Sequence, residues 1–293
     1  LIMCGMAAGF SALFGTPAAA AVFAIEVTVV GIAHYSAIVP CLLSSLTAAM
    51  VADWFHVKPT SFLVRYIPEF HADSYFMLAR TIIMGIAGAI VSIVFCKIMS
   101  KTAELYKKYI KNPYLRILAG GAIVAAISML IYALTGSFDY NGAGTDIIKK
   151  AFIGQSRPEA FILKMLLTAL TLGCGFKGGE IVPSLYIGAT FGCFFGGLLG
   201  LSHSFGAAVG LAAVFCGVTN CPFATLLLTI ELFGADGLPY YALVIGISYM
   251  LSGYTGLYSA QKFYDNKFIH RRFRHLKTYK EIKTDSAANN GKD

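Results

Sequence analysis

AAVFCGVTNCPFATLLLTIEL, residues 212–232, reads as an apolar helix broken at Asn220, restarted at Pro222 and carrying one carboxylate, Glu231, nine residues after the proline. A second copy of this pattern lies near the start of the chain, in AAGFSALFGTPAAAAVFAIEV, residues 7–27. Ala7, Ala8, Phe10, Pro17, Ala19, Ile25 and Glu26 match Ala212, Ala213, Phe215, Pro222, Ala224, Ile230 and Glu231. The alanine matches are cheap, but a Pro and a Glu at one fixed spacing are hard to obtain from shared composition. Two Pro-kinked packing helices are the bland reading. Repeated broken helices in a membrane protein point further, to a transporter-like design in which interrupted helices bring backbone termini to the middle of the bilayer.

The surroundings are apolar enough for lipid. Of 293 residues, 57% are hydrophobic and only 13% are charged, against roughly 25% charged in an ordinary soluble domain. Residues 117–138, 181–230 and 237–261 contain no Asp, Glu, Lys or Arg, and about 20 apolar residues suffice for one helical span. Backbone amides in hydrocarbon must be paired within their own segment or in a closed barrel, and strand-like alternation is absent, so the spans are helical. The expected fold class is an all-α polytopic membrane protein with repeated broken helices. Helices are expected at about 5–15, 17–27, 36–54, 76–109, 113–135, 145–153, 158–174, 181–200, 203–218, 222–234, 238–252 and 258–272. Residues 1–262 form the expected membrane domain and 263–293 a basic cytoplasmic tail. Leu1 stands inside an apolar run rather than at a Met with a basic leader, which reads as a chain truncated at its N-terminus.

Charge location suggests sidedness. The net charge is +8; residues 97–116 carry six basic groups against Glu104, and residues 262–293 carry nine basic against four acidic. Both stretches should face the cytoplasm, which puts the polar loops 57–74 and 135–146 outside. The tail sequence KFIHRRFRHLK follows directly on a span, so anchoring near anionic lipid explains it better than nucleic acid, and no nucleic-acid partner is expected. Asp53, Trp54 and His56 read as a boundary anchor. The seven cysteines form no C-x-x-C pair and read as packed thiols rather than a metal or redox site.

The second break, GFKGGEIVPSLYIG at residues 175–188, carries the chemistry. Gly178 and Gly179 are poor helix residues and Pro183 suits a first helical turn, so a helix should start near Glu180. The amides of Glu180, Ile181 and Val182 then lack intrahelical acceptors, and the helix dipole adds about half a positive charge there. An anion can satisfy them, and the glycines let it approach the backbone. No P-loop ending follows, which argues against nucleotide. Glu180 has three readings: a proton carrier, a partner for Lys177, or a first-turn glutamate favoured by the dipole beside an aqueous vestibule.

Four segments resemble one family in its own order. GFKGGEIVPSLYIGATFG looks like the segment that opens the anion-coordinating helix in the second half of CLC chloride channels and chloride/proton exchangers. GTPAAAAVFAIEV resembles their first-half Pro-to-Glu helix, VTNCPFATLLLTIELFG its inverted counterpart, and SGYTGLYSAQ the start of their last helix. The resemblance covers residues 1–272, about the last two thirds of the family's membrane domain, and the part before it would hold the external gating glutamate. It implies the CLC-type inverted repeat of tilted, broken helices and a central anion site lined by the amides of Glu180 and Ile181 and the Tyr258 hydroxyl; with Gly178, Gly179 and Val182 from the helix-start reading, these are the expected anion-binding residues. The wording Lys-Gly-Gly-Glu, the Gly-Ala-Asp-Gly after IELF and the ending GLYSAQ look most like the bacterial fluoride-exporting branch, a fluoride/proton antiporter in which the residue matching Glu180 is linked to coupling. Val182 stands where that branch often has Thr, and Val27 where the chloride exchangers carry an internal proton glutamate. The resemblance further implies a homodimer with contacts near 36–54 and 222–252, and a bacterial inner-membrane location.

The expected function is therefore fluoride export coupled to proton uptake, with chloride conduction or chloride/proton exchange as the alternative, and no cofactor or metal. An intramembrane enzyme is disfavoured, since neither H-E-x-x-H nor G-x-S-x-G occurs and His34 and His203 stand alone. A non-transporting scaffold would explain Gly192, Gly196, Gly197 and Gly200 as helix contacts, but not Glu180.

Overall fold

A computed structural model describes residues 1–57, 62, 64–68, 75–265, 267, 272–279 and 281–283. Eleven α-helices fill that range: α1 (Ile2–Phe14), α2 (Pro17–Glu26), α3 (Ile38–Trp54), α4 (Tyr75–Tyr109), α5 (Pro113–Thr135), α6 (Thr145–Phe152), α7 (Ala160–Gly173), α8 (Ile181–Leu198), α9 (His203–Thr219), α10 (Pro222–Phe233) and α11 (Leu238–Leu251). Four helical segments, at Tyr35–Trp54, α4, α5 and α8, are long and apolar enough to cross a membrane. The remainder are shorter, as broken-helix architecture requires. Most of the outer loop expected at 57–74 and much of the tail lie outside the described residues.

The two breaks have the same backbone. Helix α1 ends on Gly15 at φ 67°, ψ 30°, and α9 ends on Asn220 at φ 59°, ψ 33°. Gly and Asn are residues that tolerate this left-handed geometry. Each is followed by a residue that proline forbids from helical conformation: Thr16 at φ −122°, ψ 74° and Cys221 at φ −118°, ψ 78°. Pro17 and Pro222 then open α2 and α10.

These restarted helices lie antiparallel and cap each other. Pro at the first position leaves the next amides without acceptors. The carboxylate of Glu231, near the end of α10, accepts from Ala18 N (3.0 Å) and Ala19 N (2.8 Å) at the start of α2. Glu26, at the end of α2, accepts from Phe223 N (3.2 Å) and Ala224 N (2.8 Å) at the start of α10. The repeated glutamates of the two copies are thus reciprocal N-terminal caps, and their charge favours both helix dipoles.

Helix α9 is the centre of the molecule, buried from Ser204 to Thr219. It meets α8 through glycines: a methyl group on Gly188 would come within 2.7 Å of Leu211 Cα, and one on Gly196 within 2.8 Å of Gly206 Cα. Gly192 faces the backbone of Gly206 and Gly210 in the same seam. Three of the four glycines expected to pack helices therefore do so, Gly192 and Gly196 against the α9 backbone and Gly197 against the His203 ring at the start of α9, while Gly200 lies beyond the end of α8 at φ 72° and faces the Arg80 guanidinium. Helix α4 packs on α7, α9 and α11.

The twelfth expected helix, 258–272, does not form. Residues 253–261 turn at Gly253 (φ 59°) and the chain continues as strand β2 (Lys262–Asp265), parallel to β1 (Val29–Val30) and antiparallel to β3 (Arg272–Thr278). Alternation decides it: Phe263 is buried against Tyr254, ring centroids 5.1 Å apart, while Lys262 is exposed. Gln261 locks the turn, donating to Val27 O (3.0 Å) and Thr219 O (2.8 Å) and accepting from Asn220 Nδ2 (3.1 Å). Lys267 extends the network by donating to Asn220 Oδ1 (2.6 Å) and Tyr249 O (3.0 Å).

Candidate functional site

The loop 174–180 separates α7 from α8, and Glu180 is the residue from which α8 starts. Gly175 at φ 117° makes the first bend, and Arg116 Nε holds the preceding Cys174 carbonyl at 3.1 Å. Helix α8 begins with the Ser184 N to Glu180 O bond (3.1 Å). Among the described residues, nothing accepts from the amides of Glu180, Ile181 and Val182. The break expected from the paired glycines is present, and it leaves the three donors that an anion would need.

Glu180 itself has no hydrogen-bond or ion-pair partner among the described residues. It does not cap its own helix, and no salt bridge joins it to Lys177, so the pairing reading fails. Its electrostatic neighbours are Cys96 on α4 and the phenol of Tyr258. Tyr258 sits in the turn before β2 rather than at a helix start, partly buried with Ile181 and Val182 against the main core. The structure therefore brings Glu180, Ile181, Val182 and Tyr258 into one neighbourhood, although they are up to 78 positions apart (258 minus 180).

Gly178 and Gly179 are exposed on the loop and open, with Lys177, Val182 and Pro183, onto a cavity of about 500 Å³ between α5, α7 and α8. Neither Glu180 nor Tyr258 lines that cavity. Sequence reasoning missed Lys164, which does line it and is buried on α7. Its signal was a single Lys inside the apolar run FILKMLLTALTLG, where an ionisable group is expensive. The cysteines are unpaired and, apart from the half-buried Cys4, buried. His203 Nδ1 contacts the Cys193 carbonyl at 3.2 Å, a packing contact rather than a catalytic pair. No cluster of metal-ligating side chains occurs among the described residues.

An antiparallel pair of broken helices beside a third helix with an open start is the architecture of a polytopic membrane protein built on interrupted helices. The chain belongs to the voltage-gated chloride channel (CLC) family, whose profile matches residues 1–253. A chloride/fluoride channel protein of Pseudomonas syringae pv. tomato is 34% identical over 268 residues, covering 89% of this chain and 58% of the relative. The crystal structure of a CLC-type fluoride/proton antiporter matches with a TM-score of 0.82 at 32% identity, over 89% of this chain and 65% of that one. A slow cyanobacterial Cl−/H+ antiporter shares the fold at 20% identity, with a TM-score of 0.67 over 86% of this chain and 60% of that one. The chain spans about three fifths of the length of these relatives.

Proposed function

We propose that the intact protein exports fluoride in exchange for protons, through a path that passes the start of α8. The observation that carries this reading is the set of amides at Glu180, Ile181 and Val182, unpaired among the described residues, beside a carboxyl group that has no partner among them either. Donors without acceptors suit a small, strongly hydrated anion, and the Tyr258 hydroxyl supplies one more. Gly178 and Gly179 permit approach, and Glu180 is the proton-coupling residue. Likeness to a fluoride/proton antiporter and a chloride/fluoride channel protein supports the choice of ion. Chloride channel or exchanger activity is the alternative; Val27, in place of an internal proton glutamate, speaks against the chloride exchanger's relay. The protein is neither an enzyme nor cofactor-dependent in this reading. It resides in a bacterial inner membrane with residues 263–293 in the cytoplasm, and it pairs with a second copy through α3, α10 and α11.

Full-length protein reconstituted in liposomes tests this, with fluoride efflux and proton uptake recorded together. Wild type should show both. Tyr258→Phe removes one donor to a buried anion, about 2 kcal/mol or roughly thirtyfold in affinity, and Glu180→Gln should uncouple or stop proton uptake. Fluoride efflux with no proton movement rejects coupling, chloride efflux in its place identifies the alternative, and unaltered flux in both variants rejects the α8 path.

A further inference from the structure

The cavity at the start of α8 extends well beyond it. It follows α7 for about two turns, from Gly179 and Leu172 at one end to Asn141, Gly142 and Lys164 at the other, roughly 12 Å at 1.5 Å per residue. Lys164 is 2% exposed. Its ammonium donates to the carbonyls of Gly142 and Tyr140, the latter at 3.3 Å, and lies 5.0 Å from the centroid of the Tyr186 ring. These partners are dipoles and a ring face, and none carries a formal charge.

The nearby carboxylates are engaged elsewhere. Asp139 pairs with Lys150 at 3.8 Å, and Glu159 accepts from the Tyr140 hydroxyl at 3.3 Å. Among the described residues Lys164 has no ion-pair partner. An ammonium has three donors and two are used here; a buried charge without a counter-charge is costly. A second donor stands at the open edge of the same end: the Ser128 hydroxyl donates to Oδ1 of Asn141 (3.2 Å), an exposed residue, which leaves the Asn141 Nδ2 hydrogens without a protein acceptor among the described residues.

We propose that the Lys164 end of this cavity is an anion-binding station distinct from the α8 start, holding a small halide between the Lys164 ammonium and the Asn141 amide nitrogen. It rests on the proposed anion transport for its role, which is to concentrate the ion for a hop of roughly 12 Å along α7 to the Val182 end of the cavity at the start of α8. Leu167, Thr168 and Leu172 form the wall along which the hop runs.

The test is initial fluoride flux against fluoride concentration, using full-length protein in liposomes. Lys164→Met should raise the half-saturating concentration at least fivefold while the maximal rate stays within twofold; Lys164→Arg, which keeps the charge, should stay near wild type. A purely structural lysine would lower the rate and leave half-saturation unchanged, which overturns the station. Asn141→Leu, on the surface of the cavity, must move half-saturation in the same direction, and it decides alone if Lys164→Met does not fold. Should wild type move neither fluoride nor chloride, the transport reading falls, and calorimetric titration of detergent-purified protein with sodium fluoride still judges the station. Heat lost in Asn141→Leu supports it, and identical titrations overturn it.

Discussion

Lys267 is a residue whose work depends on where the chain folds back. Its Nζ reaches Asn220 Oδ1 at 2.6 Å and lies 3.9 Å from the Tyr249 ring centroid, with Cys216 and Cys221 as thiol neighbours and the Tyr254 hydroxyl accepting from its backbone N at 3.1 Å. Burial pushes its ammonium down to about 7 from the ordinary 10.5. Between those values the unfolded chain holds a proton that the folded chain has released, so stability rises with pH across that window. Below about pH 7 the cost of the buried charge is fully present. Thermal unfolding of solubilised protein should therefore shift upward from pH 7 to 9.5, with a slope of at most about 1.4 kcal/mol per pH unit. Lys267→Met should flatten this rise; an equally steep profile in the variant would assign the pH dependence to other groups. Nothing in KFYDNKF marks this lysine, since its acceptors stand 47 and 18 positions away. Glu180, by contrast, was legible because its own neighbours, two glycines and a proline, announce a helix start.

At the scale of elements, the repeat was legible but its physical purpose was not. Pro and Glu nine residues apart are visible in one dimension, whereas the fact that each glutamate serves the other copy's amides exists only once α2 and α10 lie antiparallel. Glu26→Gln and Glu231→Gln each keep the shape but lose the charge and one good acceptor, a loss of about 1–3 kcal/mol apiece. The two caps sit at opposite ends of a ten-residue helix, about 15 Å apart, so the double variant should equal the sum of the singles to within about 0.5 kcal/mol. Denaturation of the three variants in one detergent checks this, and a sub-additive double would mean that the two ends are coupled. Glycines behave similarly. Gly192 and Gly246 look alike in sequence, yet a methyl at Gly192 runs into the α9 backbone while one at Gly246 meets nothing within 4 Å. Gly192→Ala should abolish a monodisperse preparation and Gly246→Ala should be neutral or slightly stabilising, as expected for Gly to Ala in an open helical position. The misassigned helix at 258–272 has the same origin: aromatic and basic residues tolerate a helix locally, and only the waiting edge of Val29–Val30 selects a strand.

For the whole molecule, an apolar exterior is uninformative by itself, because lipid and a second copy ask for the same side chains. Helices α3 and α5 both present large exposed hydrophobics, Leu43 and Met50 on one and Leu118 and Leu130 on the other. The proposed pairing through α3, α10 and α11 separates them, since a two-fold interface sets the same patch of both copies face to face. Cysteine placed near such an axis lies close to its own counterpart; cysteine facing lipid does not. The native thiols offer little background, six of the seven being buried. Leu43→Cys and Met50→Cys in full-length protein in membranes should therefore yield an oxidant-dependent band at twice the chain mass, with Leu118→Cys remaining monomeric under the same treatment. Equal cross-linking on α3 and α5 would indicate random collision. If neither α3 variant cross-links while Leu118→Cys does, the contact belongs on the α5 side.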